Sequence, residues 1–467
     1  MRRLVFISLE FSAATFSGNG VYARSQVRSL CKQQCELLVI SGKPVGHAGP
    51  NQTEGAAHLI EVTVPVWGRL DQLSGWAELA EQAASDAVVE QVAIFQPSAI
   101  LGVDWSSLPA YQALSTALQA KGLHVPPYVY MNYRVYLRTC LPEDAEFMQG
   151  MESAAAATAA VTVALSRSDA DFIKHQLLPP QKPAASVKVL LPALRSDMAA
   201  LSLPYDMDVQ HNKLESTHTV SAACNTQPNV HSDASTAAQD SSQPATTVAA
   251  ARGAHDDLSP SKATSEMTAK AVDESPIRPY LTCCVRLSPE KEPHRFVELV
   301  EELAHQDIVQ QLGIVPVMCA SATTPYALAL VARLQAAAPN CIIHTQFLGP
   351  EELAKVYSKT RLNIHPCLYD AYGMTVVEAA SQGAPSVVNG GGTVGAADLL
   401  QAPSEVFEMN LALPFAQLSS QVAQLWKDAA RLAEVGQAAV QKARSWTELA
   451  NASVLMTLVD DILESSI

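Results

Sequence analysis

No CxxC pair occurs among the nine cysteines of this 467-residue sequence, and nine is an odd number. Cys283 and Cys284 are adjacent and Cys31 and Cys35 lie about one helical turn apart, a pattern that reads as reduced thiols of a cytoplasmic protein rather than a disulfide framework. Basic residues are also scarce, 31 Lys plus Arg against 46 Asp plus Glu, for a net charge of −15. A broad basic face for a polyanion is therefore excluded and no nucleic acid partner is expected; an anionic ligand must be met by a few local donors. No run approaches 18 apolar residues, which excludes a membrane span. The opening "MRRLVFISLEF" is interrupted by Ser8 and Glu10, so it reads as a first buried strand and not as a secretory signal. Histidines are scattered without HExxH spacing. Of the two Asp-x-Asp pairs, Asp169/Asp171 follows Ser166 and opens a helix, while Asp206/Asp208 begins a polar tract; neither reads as a metal clamp, and no metal is expected.

Apolar residues, by contrast, make up 48% of the chain, and the length exceeds the roughly 250–300 residues at which a single core stops growing. Two domains follow. "RLVFISLEF", "ELLVIS", "HLIEVTV", "AILGVD", "PYVYMN", "VTVALS" and "VKVLLPA" read as buried strands. Helical patterns separate them, including Val21 to Cys31 and the Ala-rich run from Glu78 to Ala93, and this alternation predicts a parallel sheet covered on both faces. The first domain spans 1–205. Residues 206–276 are rich in Ser, Thr, Ala, Gln, Asp and His, without an aromatic residue, and cannot bury enough apolar area to offset their ordering entropy: a disordered insertion. "YLTCCVRLSPEK", "VPVMCA", "IIHTQFLG", "LNIHPCL" and "APSVVN" begin the strands of a second α/β domain over 277–445. A last helix within 446–467 carries Leu449, Ser453, Met456, Val459 and Leu463 near one face and could pack back on the first domain.

Two stretches hold the chemistry. In "YDAYGMTVVEAASQGAP" a strand leads through Gly373 into a helix, the place where open α/β sheets bind ligands. Gly373 lets backbone approach a ligand closely, and the free N–H groups near Met374 and Thr375 would face an anion such as a phosphate. Asp370 and Glu378 could then accept hydrogen bonds from hydroxyls on either side. A plainer reading stays open at this point, with Asp370 capping the helix and Glu378 complementing its dipole. In "VRLSPEKEPHRF" Arg286 and Lys291 flank a Ser-Pro turn at a strand end and form a local clamp for an anion, sized for a diphosphate without a metal.

These residues resemble the retaining family 4 glycosyltransferases, relatives of glycogen and sucrose synthases. "RLSPEK" is similar to that family's donor-diphosphate motif, and "YDAYGMTVVEAASQGAPSVV" to its E-x7-E motif, with Glu378 as the second acid and Asp370 in place of the first glutamate. The resemblance implies the GT-B fold, an α/β architecture of two Rossmann-like doubly wound domains facing across a cleft. It implies a metal-independent transferase with no cofactor, moving a hexosyl group with retention from a nucleoside-diphosphate sugar to an unidentified acceptor. By the same resemblance Arg286 and Lys291 stabilise the leaving diphosphate, Glu378 holds the ribose, and Asp370 with Gly373, Met374 and Thr375 faces the sugar. In the first domain "FSGNGVYARSQVRSL" is similar to the family's glycine-rich loop, so Gly18, Asn19 and Gly20 would lie under the donor phosphates. "LGVDWSSLPAY" resembles the Asp-Trp segment of glycogen synthases, with Ser106 where a histidine often stands, so no catalytic histidine is assigned. Asn132 and Arg134 are acceptor-side candidates at a strand end, and Gly390, Gly391, Gly392 and Thr393 could line the sugar pocket. Two other functions fit such a chain: a non-catalytic scaffold that keeps the nucleotide-sugar fold, or a sugar-nucleotide epimerase, for which a convincing acid-base set is absent.

Overall fold

The computed structural model describes residues 2–11, 18–45, 57–64, 75–201, 278–319 and 323–465. The expected disordered insertion at 206–276 lies outside the described residues. The first half holds seven parallel strands: β1 (Arg2–Ser8), β2 (Cys35–Pro44), β3 (Ala57–Val64), β4 (Ala99–Val103), β5 (Tyr128–Asn132), β6 (Val161–Ala164) and β7 (Val187–Val189). Their order is β3-β2-β1-β4-β5-β6-β7. The second half repeats the plan with β8 (Tyr280–Cys283), β9 (Val315–Cys319), β10 (Ile342–His344), β11 (Thr360–Ile364), β12 (Ser386–Asn389) and β13 (Phe407–Met409), ordered β10-β9-β8-β11-β12-β13. In each sheet the chain runs outward, returns to the middle and runs outward the other way. The crevice left between β1 and β4, and between β8 and β11, is where a doubly wound sheet takes its ligand.

Continuous burial of β1 (Leu4 to Ile7), β4 and β5 explains their uninterrupted apolar sequences, since helices cover both faces of a parallel sheet. The run from Glu78 to Ala93 is not one helix. It divides into Gly75–Ala83 and Asp86–Phe95, with Ser85 in extended backbone at the second N-terminus. Helix Gly18–Lys32 starts earlier than expected and takes Gly18, Asn19 and Gly20 into its first turn.

One apolar core is common to both halves. It joins Tyr22, Tyr133, Leu165 and Leu194 of the first half to Tyr372, Val376 and Val394 of the second, and to Leu455, Val459 and Ile462 of the last helix, Glu448–Ser465. That helix packs on Gly18–Lys32 with a face rotated from the one expected: Val459 is buried and Met456 and Leu463 pack against the core, but Leu449 is 49% exposed and Ser453 is exposed, whereas Asn451, Ala452 and Leu455 are buried. Glu448 receives Ser25 Oγ and the Arg28 guanidinium, and Asn451 donates to the Leu191 carbonyl at 2.8 Å. Polar contacts also tie the halves directly. Tyr372 Oη donates to the Pro192 carbonyl (2.7 Å), and the Arg167 N–H to Asp398 Oδ2 (2.6 Å).

Gly395 sits at this seam. A Cβ there would lie 2.8 Å from Ser166 Cβ and 2.9 Å from Tyr372 Cα, with the Ala371 carbonyl closer still. Backbone cannot yield as a flexible side chain does, so Gly395→Ala should cost at least the roughly 1–3 kcal/mol typical of overpacking. Its urea midpoint should fall with the slope unchanged; an unaltered midpoint would mean the halves do not meet at Gly395.

Candidate active site

The carboxyl ends of the strands in both sheets frame a cleft of about 820 Å³, within the range that encloses a drug-sized ligand. On its second-domain side, β8 runs into a turn, Pro289–Lys291, that ends at Glu292 in the left-handed conformation, φ 46°. Glu292 fixes this turn to the loop after β11 by accepting from the Leu368 N–H at 2.6 Å and Arg295 Nε at 2.9 Å. Lys291 Nζ is thereby delivered to Asp370 Oδ2 at 2.8 Å, while Arg286, 42% exposed, pairs with Glu290 at 3.3 Å. Arg286, Glu290, Lys291 and Asp370 all line the cleft.

Asp370 has two cationic partners, since His365 Nε2 lies 3.1 Å from the same Oδ2. Burial alone would raise the carboxyl; Lys291 and then His365 outweigh it and hold Asp370 well below the usual carboxylate range. Burial would depress the His365 imidazole, but Cys367 and Asp370 outweigh it and keep its pKa above the ordinary histidine value. His365, Cys367 and Asp370 bring their ligand atoms within 4.8 Å of one another, a possible metal set that sequence spacing did not reveal. Within this set the Lys291 ammonium already meets the carboxylate. Gly373 caps helix Met374–Ser381 at φ 85°, a left-handed position that glycine takes without Cβ strain. Gly373, Met374 and Thr375 line the cleft. The cap is thus Gly373 and not Asp370.

Glu378 is not among the residues lining the cleft. It is 4% exposed, and its Oε1 faces Arg195 Nη1 at 3.4 Å, while Arg195 is also gripped by Asp197. Burial pushes the Glu378 carboxyl up, and Arg195 only partly offsets this. Among the described residues the one side-chain partner found for its carboxylate is Arg195, on Oε1.

The first domain supplies the opposite wall. Gly18 and Asn19 line the cleft; Gly20 is buried behind them. Asn132 is fully buried, its amide donating to Tyr130 Oη and the Arg134 carbonyl, so the structure removes it from the wall; Arg134 stays in it. Asp104, to which no role was assigned from the sequence, sits at the end of β4 with φ 54°. It accepts from Asn19 Nδ2 (2.7 Å), the Tyr133 N–H (2.8 Å) and Tyr136 Oη (3.1 Å), and burial still pushes it up to about 7. Trp105 beside it meets Trp76, Phe147 and Tyr136 with ring centroids 5.5–6.3 Å apart. The Asp-Trp segment was noted for its resemblance alone; its grouping with Asn19, Trp76, Tyr133 and Tyr136 was missed because these residues come from separate segments. The available signal was position: Asp104 and Trp105 end a strand beside the switch point. Gly390, Gly391, Gly392 and Thr393 do not line the cleft; Thr393 and Asn389 instead brace the Leu368 carbonyl behind it. Asp169 of the Asp-x-Asp pair accepts from Arg138 and Tyr369 at 2.8 Å each.

Two Rossmann-like halves facing across a cleft with the ligand groups at the strand ends define the GT-B class. Solved structures agree. Sucrose-phosphate synthase from Thermosynechococcus elongatus superposes with a TM-score of 0.66 at 12% identity, covering 100% of both chains. The catalytic domain of starch synthase IV from Arabidopsis thaliana, bound to ADP and acarbose, gives 0.63 at 12% identity over 99% of each chain. Anabaena HepE in complex with UDP gives 0.59 at 13% identity over 99% of this chain and 100% of that one. No curated protein matches the sequence. Residues 268–401, which hold Arg286, Lys291, Asp370 and Glu378, match the family described as glycosyl transferases group 1. The chain is a glycosyltransferase of the GT-B fold.

Proposed function

We propose that the protein transfers a hexosyl group, with retention, from a nucleoside-diphosphate sugar to an acceptor held by the first domain, and that it needs no metal. The observation that carries this reading is the cation set on one wall: Lys291 fixed at 2.8 Å from Asp370, Arg286 beside it, and the N-terminal turn of helix Met374–Ser381 opening into the same cleft. Together they supply the positive charge that a departing diphosphate requires, preorganised where that charge develops. Starch synthase IV and HepE were solved with ADP and UDP, which supports a nucleotide in the corresponding cleft here. In this reading Arg286 and Lys291 bind the diphosphate, Asp370 faces the transferred sugar, and Glu378 takes a ribose hydroxyl. The leaving phosphate oxygen accepts the acceptor's hydroxyl proton as the new glycosidic bond forms on the same sugar face, so no protein base is required.

Thermal denaturation with UDP-, GDP- and ADP-glucose in the presence of EDTA tests this. One donor should raise the wild-type Tm by several degrees, in keeping with mass action on the folded state, and the rise should be lost in Glu378→Ala. No shift with any donor would remove the donor-site assignment. A shift that requires a divalent ion would mean that the clamp is incomplete as described.

A further inference from the structure

Among the described residues Arg134 is a cation with no carboxylate paired to it. Its side chain lines the cleft, its guanidinium lies 4.4 Å from the Tyr136 ring centroid, and its buried Nε donates to nothing. Among the described residues it forms no ion pair, in a chain with an excess of acids. The neighbouring carboxylates are already committed. Glu290 accepts from Ser288 Oγ at 2.8 Å and pairs with Arg286. Asp104 is filled by Asn19, Tyr133 and Tyr136. A cation removed from water and left unpaired is costly unless a ligand completes it, and a guanidinium fork matches an oxyanion of two or three oxygens.

The position decides which ligand. Arg134 follows β5 of the first domain, whereas the diphosphate clamp follows β8 and β11 of the second. Around Arg134 the wall is aromatic, with Tyr136 beneath it and Trp105 edge-on to Tyr136 at 6.3 Å, a surface suited to the C–H face of a sugar ring. We infer that Arg134 anchors an anionic group on the acceptor, so that the acceptor is a negatively charged sugar bearing a phosphate or a carboxylate. This rests on the transferase reading above, because it takes the second-domain wall as the donor's.

Calorimetric titration of the full chain, saturated with whichever nucleotide stabilises it, would compare glucose 6-phosphate, glucuronate and glucose. A charged sugar should bind at least about tenfold more tightly than glucose, the worth of one charge-assisted contact, and the stronger of the two names phosphate or carboxylate as the group. Arg134→Gln should abolish the preference, Arg134→Lys should restore part of it, and nucleotide affinity should stay within about twofold of wild type in both variants. Equal binding of charged and neutral sugars by the wild type, including binding of none, would overturn the inference. So would a fall in nucleotide affinity in Arg134→Gln as large as the fall in sugar affinity, because Arg134 would then belong to the donor. Failure of the wild type to bind any nucleotide would instead strike the transferase reading.

Discussion

Lys291→Met is expected to lower kcat by roughly 10²–10³, the usual effect of removing one preorganised donor from a developing anion. The same change should also destabilise the fold, because Lys291 is the closest partner of a buried carboxylate. Asp370 is 7% exposed and accepts from Lys291 at 2.8 Å, His365 at 3.1 Å and, on Oδ1, the Tyr372 N–H at 3.4 Å. Stripping a buried charge of its partner costs about 3–5 kcal/mol; with His365 still in place the loss should be about 2–3 kcal/mol on the same scale. The two effects separate in the double variant Lys291→Met/Asp370→Asn. A neutral residue at 370 no longer needs the ammonium, so denaturant stability should recover while kcat stays low. If activity returned along with stability, Lys291 would act only by supporting Asp370, and the diphosphate clamp would be wrong.

Stability should also fall as pH rises from about 5 to about 8, by a few kcal/mol given about 1.4 kcal/mol per unit of pKa difference. Burial pushes Asp169 up to about 6, Asp104 up to about 7 and Glu152 up to about 8. Each folded value lies above that of the unfolded chain. The native state therefore holds more protons across this window, and raising the pH favours unfolding. His365 acts in the same direction: its folded pKa is raised, so its contribution is complete below the ordinary histidine value and is lost as pH rises through the raised one. Asp370 works the other way but titrates below the window, where its contribution is already complete. Melting curves at pH 5.5 and 8 should show a Tm several degrees lower at the higher pH. Glu152→Gln should flatten the slope, since among the described residues its carboxylate accepts only from the backbone of Tyr136 and Leu137, at 2.7 and 3.1 Å. A Tm that climbs steadily from pH 5 to 8 would show these carboxyls to be ionised in the folded protein.

The parallel sheets were legible because strands covered on both faces must be apolar throughout. Twelve of the thirteen strands overlap runs that the sequence singles out, and the helix after Gly373 is where its Gly-to-apolar transition placed it. β13 escaped because it is three residues long with an exposed Glu408 at its centre, too little to form a pattern. Part of the face of the last helix, at Leu449 and Ser453, was misread for a different reason. Its interior side includes Glu448 and Asn451, which are buried because Ser25, Arg28 and Leu191 satisfy them, and polarity counted along one helix cannot register partners over 250 residues away. The site divides the same way. Arg286, Lys291, Asp370 and Gly373 stand in two short motifs, and all four line the cleft. Arg195 against Glu378, Asp104 under Asn19 and Tyr136, and the lone Arg134 exist only as pairings, or missing pairings, across distant segments.

The apolar core common to both halves also bears on how the chain can be divided. Tyr22, Tyr133, Leu165 and Leu194 are covered by residues beyond position 370, and Tyr372, Val376 and Val394 by residues before 200. Cutting between the halves would leave each product with a greasy face that water meets unfavourably, so neither should survive expression as a soluble fragment. Swapping donor halves between relatives to exchange nucleotide preference would fail for the same reason, unless the seam around Gly395 and the last helix were carried across with the graft.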